Sequence, residues 1–524
     1  MKKTKLILLA ALLGGTIWSC AKPDEIEQPK KEEAYSEFID SSSEIKEATF
    51  GPQTGHPFSM ENVTSAYNNL ATKSQGLVEP THLYVRFMPQ TEQEQDAVKA
   101  QKDIDLYQYP LDCEITEGFV GSHNPYLLNG FPQYWCVVPN DYDFSSIECA
   151  YEIESELWKP SFIDNPDTKS ASSEFETELY LELCREQGLE PEFPVATKAT
   201  KHYPEGYVKY TDTELGTVGI EKMEVDAFNF WHNYKAYSSN TGYLNYGGHS
   251  FTANYQYRIK FEREDFAVKN EGEHVDLEYV TDKGTGKLNQ TFTGIYARYS
   301  VIFQAAARYY YMDIDIPRPP YNGTWNACLR ICVYPNASDP SGKGQVGKFA
   351  IYQQPLLADR PLVYIWDKDE SGNYRRSDEY YSTVIHELTH VVNYCFNPQI
   401  YESINVGLKE SLARGVERHL TSQRYMIYKQ PEGDYERARY TGVLWDLTDG
   451  CKNVVCNIKY DGAGTIRSPK SYYDNIDSAY TLAELIEAIK NCTTPNGWKK
   501  SITTLYPDRI PTTDLDNAFN FWFE

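Results

Sequence analysis

Short stretches in which apolar and polar residues alternate dominate the first half of the chain. Residues 81–88 and 134–138 follow the period of two that is typical of a half-buried β-strand. They predict a small β-rich unit over residues 77–160, in which no candidate chemistry is visible. Residues 161–204 contain one predicted helix, 175–184, between stretches rich in Pro, Thr and Lys. We therefore predict that they form a linker.

Residues 205–270 repeat the alternation in shorter segments. Stretches such as 206–216 and 255–261 are separated by Gly, Asn and Ser, which favour turns. Short strands split by turns predict a β-sandwich. The arrangement resembles the transthyretin-like domains of bacterial surface proteins, which implies a small regulatory sandwich beside a catalytic module.

The hydrophobic pattern changes near residue 271. Residues 295–311 have a helical period, 327–333 and 361–366 read as strands, and helical segments dominate from there to 523. This order predicts an α+β domain over residues 271–524 with a largely helical C-terminal half. The predicted fold class is therefore multidomain: a β-rich N-terminal unit and a β-sandwich, followed by an α+β domain.

One helix of this last domain carries two histidines four residues apart. Ser377 is the predicted N-cap, Asp378 and Glu379 suit the first turn, and Pro398 ends the run. Its apolar residues form one stripe at helical spacing: 381, 384, 385, 388, 391, 392 and 395. The stripe is centred opposite His386 and His390, so both imidazoles face away from the core and can share one metal ion.

Glu387 lies between these histidines, about 100° round the helix, where it can accept a proton from a metal-bound water but not ligate. A catalytic zinc usually has three protein ligands, so a third is needed. The metzincin pattern would require Gly at 393 and His at 396, and this chain has Asn393 and Phe396. Glu410, on a following helix, is the predicted third ligand of one zinc per chain, and Glu417 is the alternative.

The set His386, Glu387, His390 and Glu410 resembles that of the gluzincin peptidases. The resemblance implies a zincin-like domain in which zinc-dependent hydrolysis of a peptide bond uses Glu387 as the base. These enzymes often have an acidic residue four positions after the glutamate ligand, where it orients the first histidine. This chain has Arg414 there, so support for His386 must come from another residue.

Two further features are candidates for substrate contact. The phenol of Tyr440 could stabilise a transition-state oxyanion, with core packing as the alternative. Strand 361–366 could be an edge strand that pairs with an extended peptide, or an ordinary strand of the sheet. The predicted substrate is therefore a peptide or a protein, and host or surface glycoproteins belong to this class.

The N-terminal region and the overall charge predict where the protein works. Three lysines and an apolar stretch precede Cys20, which resembles the lipid-attachment cysteine of bacterial lipoproteins. We predict a signal over residues 1–20, a lipid anchor at Cys20 in the outer membrane facing the cell surface, and a flexible tether over 21–76. The other ten cysteines are an even number, which would permit disulfides. A net charge of -25 argues against nucleic acid as a partner.

The resulting hypothesis is a surface-anchored zinc metallopeptidase. The alternative is a surface adhesion or glycan-binding lipoprotein that uses the zincin-like domain as a scaffold, which the abundance of tyrosine, 43 residues, would favour. Glu387 argues against that alternative, because a purely structural metal site needs no base.

Overall fold

A computed structural model shows a mixed α/β protein with several sheets, as the α+β prediction requires. It describes residues 34, 36, 38, 46–70, 78–121, 123–164, 171–189, 191, 200–270, 274–314, 316–318, 328–338, 347–351, 361–368, 372–426, 441–448, 454–460, 466–473, 476 and 479–523. Cys20 and Tyr440 lie outside these residues, and so does the predicted signal.

The helices and strands are numbered along the described part of the chain. The helices are α1 (Met60–Asn69), α2 (Glu92–Lys99), α3 (Ala171–Gln187), α4 (Gly294–Tyr311), α5 (Ser377–Phe396), α6 (Pro398–Tyr401), α7 (Val406–Arg424), α8 (Val443–Thr448), α9 (Leu482–Ile489), α10 (Pro495–Leu505) and α11 (Thr512–Phe523). The strands are β1 (His82–Phe87), β2 (Gly118–Val120), β3 (Leu127–Leu128), β4 (Phe131–Pro132), β5 (Tyr134–Pro139), β6 (Tyr151–Leu157), β7 (Glu205–Asp212), β8 (Gly216–Gly219), β9 (Glu224–Phe228), β10 (Asn233–Tyr237), β11 (Tyr243–Asn245), β12 (Gln256–Lys260), β13 (Phe266–Asn270), β14 (Glu278–Val280), β15 (Leu288–Phe292), β16 (Leu329–Ser338), β17 (Gly347–Ile351), β18 (Pro361–Lys368), β19 (Val454–Tyr460) and β20 (Ile466–Tyr473).

The strands of the predicted N-terminal unit form an antiparallel sheet in the order β5-β1-β6. The alternating residues of β1 and β5 were therefore correct indicators of strands. Their apolar side chains pack on α2 and form a separate small core that includes Val85, Val98 and Cys136. The helix predicted in the linker is also present, although it is longer than predicted and forms α3.

The strands predicted for the sandwich form two sheets that also recruit strands from outside residues 205–270. One sheet has the order β10-β9-β12-β14-β2, and the other has the order β11-β7-β15 with β8 beside β7. β2 comes from the predicted N-terminal unit, and β14 and β15 follow residue 270. β13 leaves this region and pairs in parallel with β16. Residue 270 therefore does not separate the sheets, because backbone pairing between distant strands crosses it.

The sheet next to the motif helix has the order β13-β16-β18-β17. The predicted strands at 327–333 and 361–366 are present as β16 and β18. β18 is not an edge strand, since β16 pairs with one side and β17 pairs antiparallel with the other. Of the two interpretations of 361–366, an edge strand or an ordinary strand of the sheet, the second is confirmed, because β17, which the sequence did not reveal, covers the other side. The edge strand on this side is β17.

The described part of the predicted tether, residues 21–76, is folded rather than flexible. α1 lies within it, and the Ser59 side chain caps this helix by accepting from the backbone N–H of Asn62. Val63 and Ala66 on α1 are fully buried, and so is Phe38. The composition of this region suggested disorder because its few apolar residues are widely spaced. Tertiary packing nevertheless buries them.

A single apolar core joins the sandwich strands to the helices that follow. α4, predicted at 295–311, begins at Gly294 and is buried along almost its whole length. It packs beneath α5, where the Tyr309 and Thr389 hydroxyls are 3.2 Å apart. The apolar stripe of α5 is buried in the same core. The motif helix is thus held on the side opposite its histidines, as the stripe predicted.

The N-terminus of α5 differs in detail from the prediction. Arg376 is the N-cap, and Ser377 is the first helical residue, while Glu379 accepts from the Arg376 backbone N–H. Ser377 instead exchanges two hydrogen bonds with Thr213 of the β7–β8 turn, at 2.9 and 3.0 Å. Ser377 was a reasonable cap by residue type, but a tertiary contact engages both its side chain and its backbone N–H. The sandwich region therefore fixes the start of the metal-binding helix.

Membrane-spanning helices and disulfides are both absent from the part of the chain that the structure describes. No helix there has both the length and the apolar character needed to cross a bilayer. Among the eight cysteines whose side chains the structure describes, none forms a disulfide.

Candidate metal centre

Helices α5 and α7 bring three metal-binding side chains together. Nε2 of His386 lies 3.2 Å from Nε2 of His390 and 3.2 Å from Oε2 of Glu410. The Nε2 of His390 and the same Glu410 oxygen are 3.5 Å apart. These atoms form the group of histidine and carboxylate ligands in the described residues that could hold a metal ion. The structure thus brings the predicted ligands to one place.

The spacing of the three donor atoms tests which ion they fit. Nitrogen and oxygen ligands of tetrahedral zinc lie about 2.0–2.2 Å from the metal, which separates neighbouring donors by roughly 3.3–3.5 Å. The observed separations of 3.2, 3.2 and 3.5 Å lie at this range or just below it. Two imidazoles and one carboxylate also suit zinc chemically, and three protein donors leave a fourth position open. The residues therefore fit a zinc ion of the catalytic type.

Glu417 lies on the other side of the His386 ring and supports it. Its Oε2 is 2.9 Å from Nδ1 of His386. A carboxylate accepts, so Nδ1 carries a proton; once Nε2 has lost its own proton, its lone pair is directed at the ligand cluster. Arg414 donates to both oxygens of Glu417, each at 3.0 Å. The support expected from elsewhere in the chain thus comes from Glu417, seven residues after Glu410.

This geometry decides between the two glutamates. Glu410 lies beside both Nε2 atoms, whereas Glu417 contacts the Nδ1 that points away from them. The geometry therefore favours Glu410 over Glu417 as the third ligand. Two turns of α7 separate the residues, which places them on opposite sides of one imidazole. Sequence spacing alone could not reveal this, because it does not give the orientation of the His386 ring.

Replacing Glu417 with Gln is expected to weaken zinc binding by about 10- to 100-fold, as outer-shell changes do. The amide oxygen can still accept from Nδ1, but it lacks the negative charge that makes the imidazole a stronger ligand. Competition with a chromophoric chelator measures the affinity. Glu402→Gln, at an exposed position between the two helices, is the control and should bind zinc like the wild type. Equal affinity in the Glu417 and Glu402 variants would contradict this role.

The metal-free cluster holds protons strongly. Burial lowers the pKa of His386, but hydrogen bonds from Glu410 and Glu417 outweigh it and raise this pKa to about 10. Burial opposes ionisation of Glu410, yet its hydrogen bonds with His386 and His390 bring its pKa well below the usual value. Without metal, therefore, a positively charged His386 lies between two carboxylates at neutral pH.

Zinc affinity is therefore expected to rise with pH. Zinc needs the neutral Nε2 of His386, so binding must release the proton that this imidazole holds up to a pKa of about 10. Release of one proton gives about a tenfold gain in affinity per pH unit at any pH below that pKa. Calorimetry at pH 7 in buffers of different ionisation enthalpy would count the protons released. An affinity that stays constant between pH 6 and 8 would contradict the expectation.

Glu387 occupies the position expected of a base. It is buried beside the ligands, and burial raises its pKa, while the positive charges of His386 and His390 oppose that rise. No hydrogen bond of its carboxylate is found among the described residues. A raised pKa brings a carboxylate closer to the range in which it can both accept and donate a proton near neutrality.

Tyr401 is a residue at this site that the sequence did not single out. It is buried at the end of α6, and its ring packs against Tyr394. Burial and then the negative charges of Glu410 and Glu387 raise its pKa, so the phenol stays protonated. The sequence could have pointed to Tyr401 through its position, which is between the motif and Glu410. Tyr440, the predicted candidate for this role, lies outside the described residues.

Comparisons with known proteins give no family for the chain. No protein-family model matches it, and no curated protein matches it. Among solved structures, a 9R-lipoxygenase from Cyanothece aligns at 12% identity and a TM-score of 0.11, over 66% of this chain and 51% of that one. The chain therefore spans about half the length of that enzyme, and a likeness this weak carries no argument about fold or function.

Proposed function

We propose that the protein is a zinc-dependent metallopeptidase whose metal is held by His386, His390 and Glu410. The observation that carries the proposal is the convergence of these three side chains at zinc-ligand spacing, with a buried glutamate next to them. Zinc bound there would lower the pKa of a water molecule to about 7 and polarise a substrate carbonyl.

Glu387 acts as the proton carrier in this proposal. It accepts a proton from the attacking water as the new C–O bond forms, and it delivers that proton to the leaving amine as the C–N bond breaks. Its raised pKa favours both steps. The Tyr401 phenol, close to Glu387 and Glu410, supplies a hydrogen-bond donor for the oxygen on which negative charge develops.

We propose a peptide or protein as the substrate, including a host or surface glycoprotein. Among the described strands, β17 is the edge of its sheet next to the motif helix, and such an edge can form main-chain hydrogen bonds with an extended segment. Such pairing recognises the backbone of the substrate and not its side chains. Specificity must therefore come from other contacts.

The lipid anchor at Cys20 and a position on the outer-membrane surface remain part of the proposal. They are supported by the apolar stretch and the cysteine in the first twenty residues. Labelling of intact producing cells with a fatty-acid probe, compared between wild type and Cys20→Ala, would test the anchor separately from the enzymatic activity.

The test of the proposed activity combines metal analysis with a cleavage assay. The purified chain should contain about one zinc, and a peptide library derived from a whole proteome should be cleaved in a chelator-sensitive manner. A chain that binds zinc but cleaves no peptide, and is retained on glycan arrays, would instead support the adhesion alternative. Exposed tyrosines on the sandwich strands, Tyr207 and Tyr237, would then be the first residues to examine.

A further inference from the structure

A segment at the start of the described chain packs against α4 and against α5, the helix that carries His386 and His390. Residues 34, 36 and 38 are helical, and Ala34 and Phe38 are buried while Ser36 is exposed. Phe38 is completely inaccessible to solvent and belongs to the same apolar core as α4 and α5. Its ring lies 5.9 Å from the ring of Tyr380, which is on α5. This contact is about a turn and a half before His386.

The Phe38 backbone completes a buried polar cluster beneath the motif helix. Arg298 donates to the Phe38 carbonyl at 3.0 Å and pairs with Asp367 at 3.2 Å. Asp367 in turn accepts from the hydroxyl of Tyr380 at 2.9 Å. Arg298 and Asp367 are almost fully buried, so their charges depend on complete pairing. Removing Phe38 would open this cluster to water.

A second contact fixes the same segment further along. The backbone N–H of Ala48 donates to the Phe119 carbonyl at 2.9 Å, and the Phe119 N–H donates to the Lys46 carbonyl at 2.8 Å. Gly118 allows this approach, because a Cβ there would lie 2.4 Å from the nitrogen of Ala48. The segment is therefore attached to the folded body at two separate places, on α4 and α5 and on β2.

We propose that the described residues 34, 36, 38 and 46–50 belong to an intramolecular strap that holds the metal-binding helix, so that losing the Phe38 contact weakens metal binding at His386 and His390. Phe38 is a positioning residue that acts through Tyr380 and touches no ligand. The inference goes beyond the proposed peptidase activity and shares with it only the zinc site. It makes the N-terminal region part of the metal-binding fold, whatever the substrate is.

The test uses three variants of the full chain: Phe38→Ala, Phe38→Leu and the exposed matched control Ser36→Ala. Zinc affinity is measured by chelator competition, and amide hydrogen exchange of α5 is measured in the metal-free protein. We expect Phe38→Ala to bind zinc about tenfold more weakly, the lower end of outer-shell effects, and to exchange faster near Tyr380. Phe38→Leu should retain most of the wild-type behaviour, and Ser36→Ala all of it. Identical results for Phe38→Ala and Ser36→Ala would overturn the proposal.

A peptide added in trans covers the case in which Phe38→Ala does not fold. A chain that begins at Lys46 should regain zinc affinity with a synthetic peptide of residues 31–42, but not with the same peptide carrying Phe38→Ala. Full affinity without the peptide, or no response to it, would contradict the strap. If the wild type binds no zinc, the proposed function fails, while exchange in α5 still tests the strap.

Discussion

Replacing His386 with Ala is expected to abolish zinc binding. The imidazole supplies one of the three donor atoms, and its Nε2 lies 3.2 Å from each of the other two. The substitution also leaves the buried Glu417 and the partly buried Glu410 without the positively charged ring between them. The loss should exceed the roughly 10- to 100-fold expected of an outer-shell change such as Glu417→Gln. Mass spectrometry of the native protein and chelator competition would both report it.

His249→Ala is the matched control for this change. His249 is exposed and stacks on Tyr234, so its loss should leave the zinc content at about one per chain. Glu410→Gln should follow His386→Ala in losing zinc, and it should lose more than Glu417→Gln. A His386→Ala chain that keeps its zinc would show that the metal is bound elsewhere, and the proposed site would be wrong.

The ligand set could be predicted from the sequence because it depends on local geometry. His386 and His390 are one turn apart, and the apolar stripe of the helix determined which way they face. Glu410 also emerged as the ligand because its helix follows closely. The role of Glu417 did not, since it depends on which ring nitrogen of His386 faces α7. That is a tertiary feature with no signature in residue spacing.

The errors in the fold prediction have a common physical cause. The tether was expected to be flexible because its apolar residues are sparse, yet Phe38 and α1 find partners far away in the chain. Whether β18 is an edge strand or an ordinary strand stayed open, because pairing with β17 cannot be read from periodicity. The boundary at 270 likewise missed the parallel pairing of β13 with β16. Local patterns predicted which residues form strands and helices, but not which distant strands pair.

Metal binding and catalysis are expected to respond differently to a substitution at Glu387. Glu387→Gln is expected to keep about one zinc per chain and to lower peptide cleavage by about 10²- to 10⁴-fold, the usual contribution of a general acid–base group. Glu387 lies beside the ligands but contributes no donor atom to the cluster. Its amide replacement has nearly the same shape and cannot accept the proton of the attacking water. Cleavage of a fluorogenic peptide selected from the library, together with zinc analysis of the same sample, measures both.

Glu402→Gln, which is exposed, serves as the matched control and should cleave like the wild type. The pH profile, measured with enough zinc to keep the site loaded at every pH, adds a second readout. The acidic limb in the wild type then reports Glu387, whose pKa burial raises, and it should be missing from any residual activity of the variant. Equal cleavage by the Glu387 and Glu402 variants would refute the mechanism while leaving the zinc site intact. Loss of zinc from Glu387→Gln would instead mean that Glu387 supports the metal, and the base would have to be sought elsewhere around the cluster.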